Sequence, residues 1–537
     1  MIFDGSALRV PDLAFARNGN VSRRLSRQGD GFDGGGCAVR FTLNAARNAM
    51  EISLTADGDV SYIIVRFQGK FAEQALFYGD ALERLYGDGE WRGAIPERVM
   101  PWYFMAAANG ATVGFGVKTR PNALCFWQAD SDGITLWLDA RCGTSPSVFK
   151  GETLALAEVT ELRSIPGENP FAFHKRFCAA MCSDPVLPNA PVYGMNNWYY
   201  AYGNSSHEEI LRDGALLAEL TQGLKHRPYM VIDDGWQAYS GKYAAAGGPY
   251  DRGNEKFPDM RRLAEELKAK DVKPGLWIRP LLRHDANLPD DWFLRGAKGV
   301  LDVTVPEARK QIGDEIRGIT AGWGYGLVKI DFTTYDILGK YAPQMDFGLF
   351  DGERRFRDTT KTTAQAVKLL YQTLSENAAG AVLIGCNCIG HLSAGYFHVH
   401  RIGDDTSGHN WERVRRMGVN ALAFRLAQHN TFFAVDADCA GVTEQIPWQK
   451  NAEWLRLLAN SGTTLFCSVS PNCADAEKKA FLRKAFAETA RQAGGQSAAC
   501  EPLDWLYTRC PSKWRLSGET VRFDFLEEGG TAFLEFN

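Results

Sequence analysis

The sequence predicts a chain of three parts: an N-terminal β-sandwich, a central (β/α)8 barrel and a small C-terminal antiparallel β unit. Three observations predict it. Residues 1 to about 170 run in short alternating apolar and polar stretches broken by Gly, Asp and Asn. From about 190, continuous apolar runs alternate with amphipathic helical segments, and after about 500 a strand–turn–strand alternation returns. The composition agrees: 45% hydrophobic, 12% aromatic and 23% charged over 537 residues, with 54 Gly and 14 Trp, suits sheets and tight turns and excludes a disordered chain or a coiled coil.

In the first part, VSYIIVRFQ (60–68), ATVGFGVKT (111–119) and GITLWLDARC (133–142) read as strands of a sandwich. FAFHKRFCAAMCSD (171–184) reads as a helix leading into the next unit. The barrel rests on eight runs: VYGMNNW (192–198), YMVID (229–233), KPGLWIRP (273–280), GVLDVT (299–304), YGLVKIDF (325–332), AVLIGC (381–386), FHVHRIG (397–403) and TFFAVDAD (431–438). Helical segments such as SHEEILRDGALLAELTQ (206–222) and MRRLAEELKAK (260–270) lie between them. Apolar strands alternating with helices indicate a parallel sheet, and eight units over this length fit a closed barrel. An open doubly wound sheet lacks its glycine-rich phosphate turn here. WRLSGETVRFDFLEEGGTAFLEF (514–536) reads as the closing β unit. The divisions expected are 1–175, 176–490 and 491–537.

A net charge of −4 gives no global attraction to nucleic acid or anionic lipid. No run of about 18 uncharged apolar residues predicts a membrane span. The opening MIFDGSALRVPDLAFARNGN lacks a basic start followed by an apolar run, so no signal peptide is expected. The twelve cysteines mostly stand singly in apolar runs, as Cys125, Cys178 and Cys467 do, which suits reduced thiols and a cytoplasmic location.

Catalytic groups of such a barrel sit at the C-terminal ends of its strands. Counted over the eight runs, the first ends in Asn196, Asn197, Trp198, Tyr199 and Tyr202, and the second in Asp233, Asp234, Gly235 and Trp236. The third ends in Trp277 and Arg279, the fifth in Lys329 and Asp331, the sixth in Cys386 and Asn387. Arg401, Asp404 and Asp405 follow on the seventh, Asp436 and Asp438 on the eighth. Carboxylates, cations and aromatic rings at one mouth are what a sugar site needs, and two of the carboxyls can carry out glycoside chemistry. The pair chosen is Asp331 and Asp405. Lys329 and Asp331 share a face by period-two alternation, so the ammonium is expected to keep Asp331 ionised as a nucleophile. Asp405 needs a raised pKa to serve as an acid, which the neighbouring Asp404 would help to supply.

With these residues in place, IDDGWQ (232–237), GLWIRP (275–280), LDVT (301–304), VKIDF (328–332), GCN (385–387) and RIGDD (401–405) resemble the retaining α-galactosidases of glycoside hydrolase family 36, in clan D. GMNNWYYAYG (194–203) is similar to the family's first-strand signature. The resemblance implies the same order of parts, with the N-terminal sandwich a supersandwich. It implies Asp331 as nucleophile, Asp405 as acid/base, and Lys329 and Arg401 as ligands of sugar hydroxyls. It implies Asp233 and Asp234 as partners of the 4- and 6-hydroxyls, Cys386 lining the site, and Trp198 and Trp236 as its walls, with Trp91 the candidate for an aromatic ring from the N-terminal part. Tyr199, Asn387, Trp277 and Arg279 complete the expected substrate contacts. No cofactor or metal is implied, the substrate is an oligosaccharide or other glycoside, and family members commonly form homo-oligomers. Arg279, Arg283, Asn196 and Asn197 depart from the pattern; Arg279 at the mouth would meet an anionic aglycone or pair with Asp302 or Asp331.

Other readings stand beside it. An α-N-acetylgalactosaminidase or an α-galactosyl transferase of the same clan would share the site. A Schiff-base lyase would use Lys329. A metal-dependent hydrolase would use His398 and His400, or Cys386, Cys388 and His391. A non-catalytic sugar-binding barrel would keep the pocket without turnover.

Overall fold

The computed structural model describes residues 2–240, 246–285, 287–492 and 500–526. Residues 527–537, the end of the expected closing β unit, lie outside the described residues. Two antiparallel sheets, one of six strands and one of eight, form the N-terminal sandwich between Leu13 and Arg163. All three stretches read as strands there fall on strands: Tyr62–Gln68, Ala111–Val117 and Gly133–Asp139. Val65, Phe67, Phe104, Phe115, Trp127 and Leu136 fill the core they share. A helix, Pro170–Met181, capped by the Asn169 side chain on the Ala172 N–H, follows.

The parallel sheet closes into a barrel of eight staves. Its strands are Tyr193–Asn196, Tyr229–Ile232, Lys273–Ile278, Leu327–Ile330, Val382–Gly385, Val399–Arg401, a split seventh, and Leu465–Val469. The seventh is split between Ala434–Asp436, which pairs with the sixth, and Ala440–Val442, which pairs with the eighth. Only residues 437–439 separate these halves, so the two ends of the sheet meet, and the Thr464 N–H adds a bond to Val435 O at 3.0 Å.

The strand count therefore corrects one expectation. GVLDVT (299–304) forms no strand: Val300 and Leu301 make only isolated bridges to Leu282 and Phe293 in the loop after the third strand. The eighth stave is LFCSV, 465–469. Lys329 and Asp331 thus belong to the fourth strand and its end rather than the fifth, and Arg401 to the sixth rather than the seventh.

Side-chain alternation along these strands builds the site. Tyr229, Val231, Leu327, Ile384, Val399, Ala434 and Phe466 form one apolar cluster inside the ring, while the opposite parity (Met230, Ile232, Val328, Ile330, Leu383) joins the core under the helices. Carried upward, the inward parity ends in Asp233, Trp277, Asp331, Cys386, Arg401 and Asp436.

The sandwich is fastened to the barrel by buried polar bonds. Asp80 pairs with Arg425 at 3.0 Å, and Gln428 Nε2 donates to Asp80 Oδ2 and to Tyr103 Oη, each at 2.9 Å. Glu501–Pro502, Lys513–Leu516 and Glu519–Arg522 make a three-stranded antiparallel sheet beyond the barrel. No helix among the described residues is long and apolar enough to cross a membrane. Among the described residues no cysteine forms a disulfide.

Candidate active site

At the C-terminal mouth of the barrel lies a cavity of about 390 Å³, within the size range of small-molecule sites. Larger hollows exist, including one of about 800 Å³ walled by the 290–299 and 355–359 segments. The smaller cavity gathers the polar ends of several barrel strands, which the 800 Å³ hollow does not. Asp331 and Asp405 both line it, with Asp233, Asp234, Lys329, Trp198 and Trp277.

Asp331 is held by neutral donors from three places. Its Oδ1 accepts the N–H of Phe332 at 2.7 Å and of Asn387 at 3.1 Å, and its Oδ2 accepts Trp277 Nε1–H at 3.0 Å. Phe332 adopts φ +59°, a left-handed conformation costly for a bulky residue, at the turn where its N–H meets the Asp331 carboxylate. The spacing predicts Lys329 beside Asp331, but Lys329 pairs elsewhere. Its Nζ lies 2.7 Å from Asp233 Oδ2, which also accepts Asn196 Nδ2–H at 2.7 Å. Burial is the largest influence and opposes the ammonium charge, but Asp233, with smaller help from Cys386 and Asp331, more than offsets it and holds Lys329 protonated, well above the usual lysine range.

Asp233 is buried at the cavity floor: its N–H donates to Asn197 Oδ1, and its Oδ1 takes the Asp234 N–H. The unusual asparagines of the first strand are therefore its cradle. Asp234 gives one oxygen to Gln237 Nε2 at 2.6 Å, and burial pushes its pKa up to about 6. Gly235 then turns the chain at φ +116°, where a Cβ would stand 2.5 Å from Gly203 O.

Asp405 is held by cations. Arg401 Nη2 lies 2.9 Å and Arg84 Nη1 3.6 Å from its Oδ1. Burial alone would raise its pKa, but Arg401, Arg84 and Lys329 outweigh burial and bring it down to about 2. Asp404 does not raise it, contrary to expectation, because Arg84 and Arg413 each bind Asp404 at 2.8 Å. Asp405 nonetheless keeps 43% of its side chain open on the cavity side.

Six expected contacts sit behind the cavity wall. Trp236 is buried, packs on Tyr250 and Trp323, and donates its Nε1–H to Trp277 O. Tyr199 is buried with its hydroxyl on Asp438. Cys386 lies beneath Arg84 and Arg401, and burial pushes its thiol well up. Asn387 contributes its backbone N–H to Asp331 while its side chain goes to Glu83 and to the Tyr335 N–H. Arg401 is saturated, with Asp438 at 2.9 Å on its other side. Arg279 pairs with buried Asp336 at 2.5 Å, rather than with Asp302 or Asp331, and does not reach the mouth. Arg283 binds Glu315 and Asp285.

Trp91 packs against Tyr78 and Trp505, away from the cavity. The sandwich instead supplies Arg84 and Tyr86, which sequence reasoning missed, as it missed Phe332, Tyr341 and Arg413. His398 accepts the Leu383 N–H, and His400 Nδ1 lies 2.7 Å from Arg401 O. Among the described residues no group of three or more His, Cys, Asp and Glu side chains is placed to hold a metal ion.

This architecture is shared with solved α-galactosidases. One from Thermus thermophilus, in complex with p-nitrophenyl α-D-galactopyranoside, aligns at TM-score 0.61 over 95% of this chain and 99% of its own, with 16% identity. A GH36 α-galactosidase from Geobacillus stearothermophilus in complex with stachyose aligns at TM-score 0.60 over 89% of this chain and 70% of its own, with 15% identity. One from Lactobacillus brevis aligns at 0.57 over 94% and 72%, with 13% identity. No family model matches the sequence, and no curated protein matches it.

Proposed function

We propose that this chain is a retaining glycoside hydrolase of the family 36 type, cleaving terminal α-galactosides. The observation that carries the reading is the convergence of Asp331 and Asp405, from different barrel strands, on one cavity with the Lys329–Asp233 pair. Asp331 attacks the anomeric carbon as the glycosidic oxygen leaves with a proton from Asp405. Water deprotonated by Asp405 then releases the sugar with retained configuration. Lys329, charged and paired, serves as a hydroxyl donor rather than as the neutral amine a Schiff base needs. Asp234, which lines the cavity with Gln237 holding its Oδ1, is the carboxyl that meets sugar hydroxyls, while Asp233 acts through Lys329.

Held by these cations, Asp405 is ionised, the form that activates water in the second step. To act as acid in the first step it takes up a proton once substrate displaces water from its open side. One observation favours a second reading of the acid: Asp234, at about 6, lies nearer the working range. Comparing Asp234→Asn with Asp405→Asn on alkyl and nitrophenyl α-galactosides separates them, since only the true acid matters more for the poor leaving group.

The activity itself is tested with a panel of aryl α-glycosides, comparing galactose with its N-acetylamino analogue. Turnover of the galactoside with the α-anomer released first supports the proposal. Turnover of the N-acetylamino sugar alone moves the substrate assignment, and no turnover of any member removes the hydrolase reading.

A further inference from the structure

The candidate site is not closed by the barrel alone. The Asp80–Tyr86 segment of the N-terminal part runs onto the end of the sixth barrel strand, where the Leu85 N–H donates to Ile402 O and the Asp404 N–H donates to Leu85 O, each at 2.8 Å. This bridge carries Arg84, itself buried, into the cavity wall. Its Nη2 lies 2.8 Å from Asp404 Oδ1, and its Nη1 lies 3.6 Å from Asp405 Oδ1 and 3.8 Å from Cys386 Sγ. The root of the segment is fixed by Asp80 on Arg425 and by Arg425 Nη1 on Glu83 O. Glu83 also accepts Asn387 Nδ2–H at 2.8 Å, so the same segment touches the residue whose N–H holds Asp331.

We propose that Arg84 is a positioning residue of the reaction centre, fixing the place and charge of the Asp405 carboxylate from outside the barrel, so that the N-terminal part and the barrel make one catalytic unit. The proposal rests on the role given above to Asp405. Arg84 has few alternatives: a guanidinium clamped by a backbone bridge on one side and by Asp404 on the other keeps its geometry without help from substrate.

The other charged and titratable groups around Asp405 come from every neighbouring element. Arg401 projects from the sixth strand and Lys329 from the fourth. Tyr199 and Tyr202 follow the first strand, and both hydroxyls feel the Asp405 charge. Asp404 and Asp438 are each engaged by guanidinium groups. Arg84 is therefore one of three cations that keep Asp405 ionised, and the only one of the three outside the barrel strands.

The test uses the full chain with ¹³C-labelled aspartate carboxyls, the Asp405 signal being assigned by its loss in Asp405→Asn. Titration is compared in the parent, Arg84→Lys and Arg84→Met, beside kcat and KM for methyl α-galactoside across pH. The proposal expects the Asp405 midpoint to rise in Arg84→Met toward that of an ordinary aspartate and to stay near the parent in Arg84→Lys. Where turnover is measurable, the limb of kcat against pH that follows Asp405 moves the same way, with kcat changing more than KM. An unchanged midpoint in a folded Arg84→Met protein overturns it. If Arg84→Met does not fold, Arg84→Gln takes its place in the titration. Absence of all α-galactoside turnover removes the proposed function, yet the titration still decides whether Arg84 sets the charge of Asp405.

Discussion

Two walls of one cavity hold the same kind of side chain in opposite ways. On the fourth-strand wall, Asp331 rests on three neutral N–H donors; on the sixth-strand wall, Asp405 faces the guanidinium groups of Arg401 and Arg84. Neutral dipoles orient a carboxylate without setting a counter-charge against it, which suits the nucleophile proposed for this position. Fixed cations stabilise the anion itself and make its proton hard to add. The difference teaches that role follows the donors, not the residue type.

Removing Asp331 should have the largest effect. Asp331→Asn is expected to lose roughly 10⁴-fold or more in kcat for nitrophenyl α-galactoside, since no other group can replace an attacking carboxylate. Asp405→Asn should cost about 10²–10⁴-fold on an alkyl galactoside and clearly less on the nitrophenyl substrate, whose leaving group needs no proton. Equal losses on both substrates would erase the contrast between the walls.

Lys329→Met strips the partner from buried Asp233 and should lower stability by about 3–5 kcal/mol, read by denaturant unfolding. Trp277→Phe removes one of the three donors on Asp331; at about 1.5–3 kcal/mol for a bond to a charged group, kcat/KM should fall roughly 10- to 100-fold with little change in melting temperature. A further expected effect concerns the seam between the sandwich and the barrel. Burial holds His174, beside Tyr103, and His391, stacked on Trp102, down to about 3. These imidazoles are neutral in the folded protein and charge on unfolding, so their contribution is complete above about pH 6.5 and is lost as pH falls toward 3. Melting temperature should decline from pH 6.5 to 4, and less steeply in His391→Gln.

Much of this was legible in the sequence. Apolar strand runs ending in Asp233, Asp331 and Arg401 mark the barrel, because a ring buried on both faces must be apolar until its open end. GVLDVT misled because it is as apolar as a strand; Asp302, inside it, instead accepts the Thr304 hydroxyl and the Arg357 N–H in a loop. The eighth stave, LFCSV, was overlooked although it has the same apolar character. Trp236 was misplaced because adjacency to Asp234 says nothing of the turn at Gly235. Arg84 had no readable signal, since its partners Asp404 and Asp405 are more than 300 residues away in the chain. The charge on Asp405 could not be foreseen without it.

The proposed reaction passes through a covalent bond between Asp331 and the sugar. It is tested by incubating the protein with a slow, fluorinated α-galactosyl fluoride and sequencing the modified peptide by mass spectrometry. One galactosyl equivalent is expected on the peptide containing Asp331, with activity returning as the sugar is released. A label on Lys329 or Asp234, or steady turnover of this substrate with no adduct and an inverted product, would contradict it.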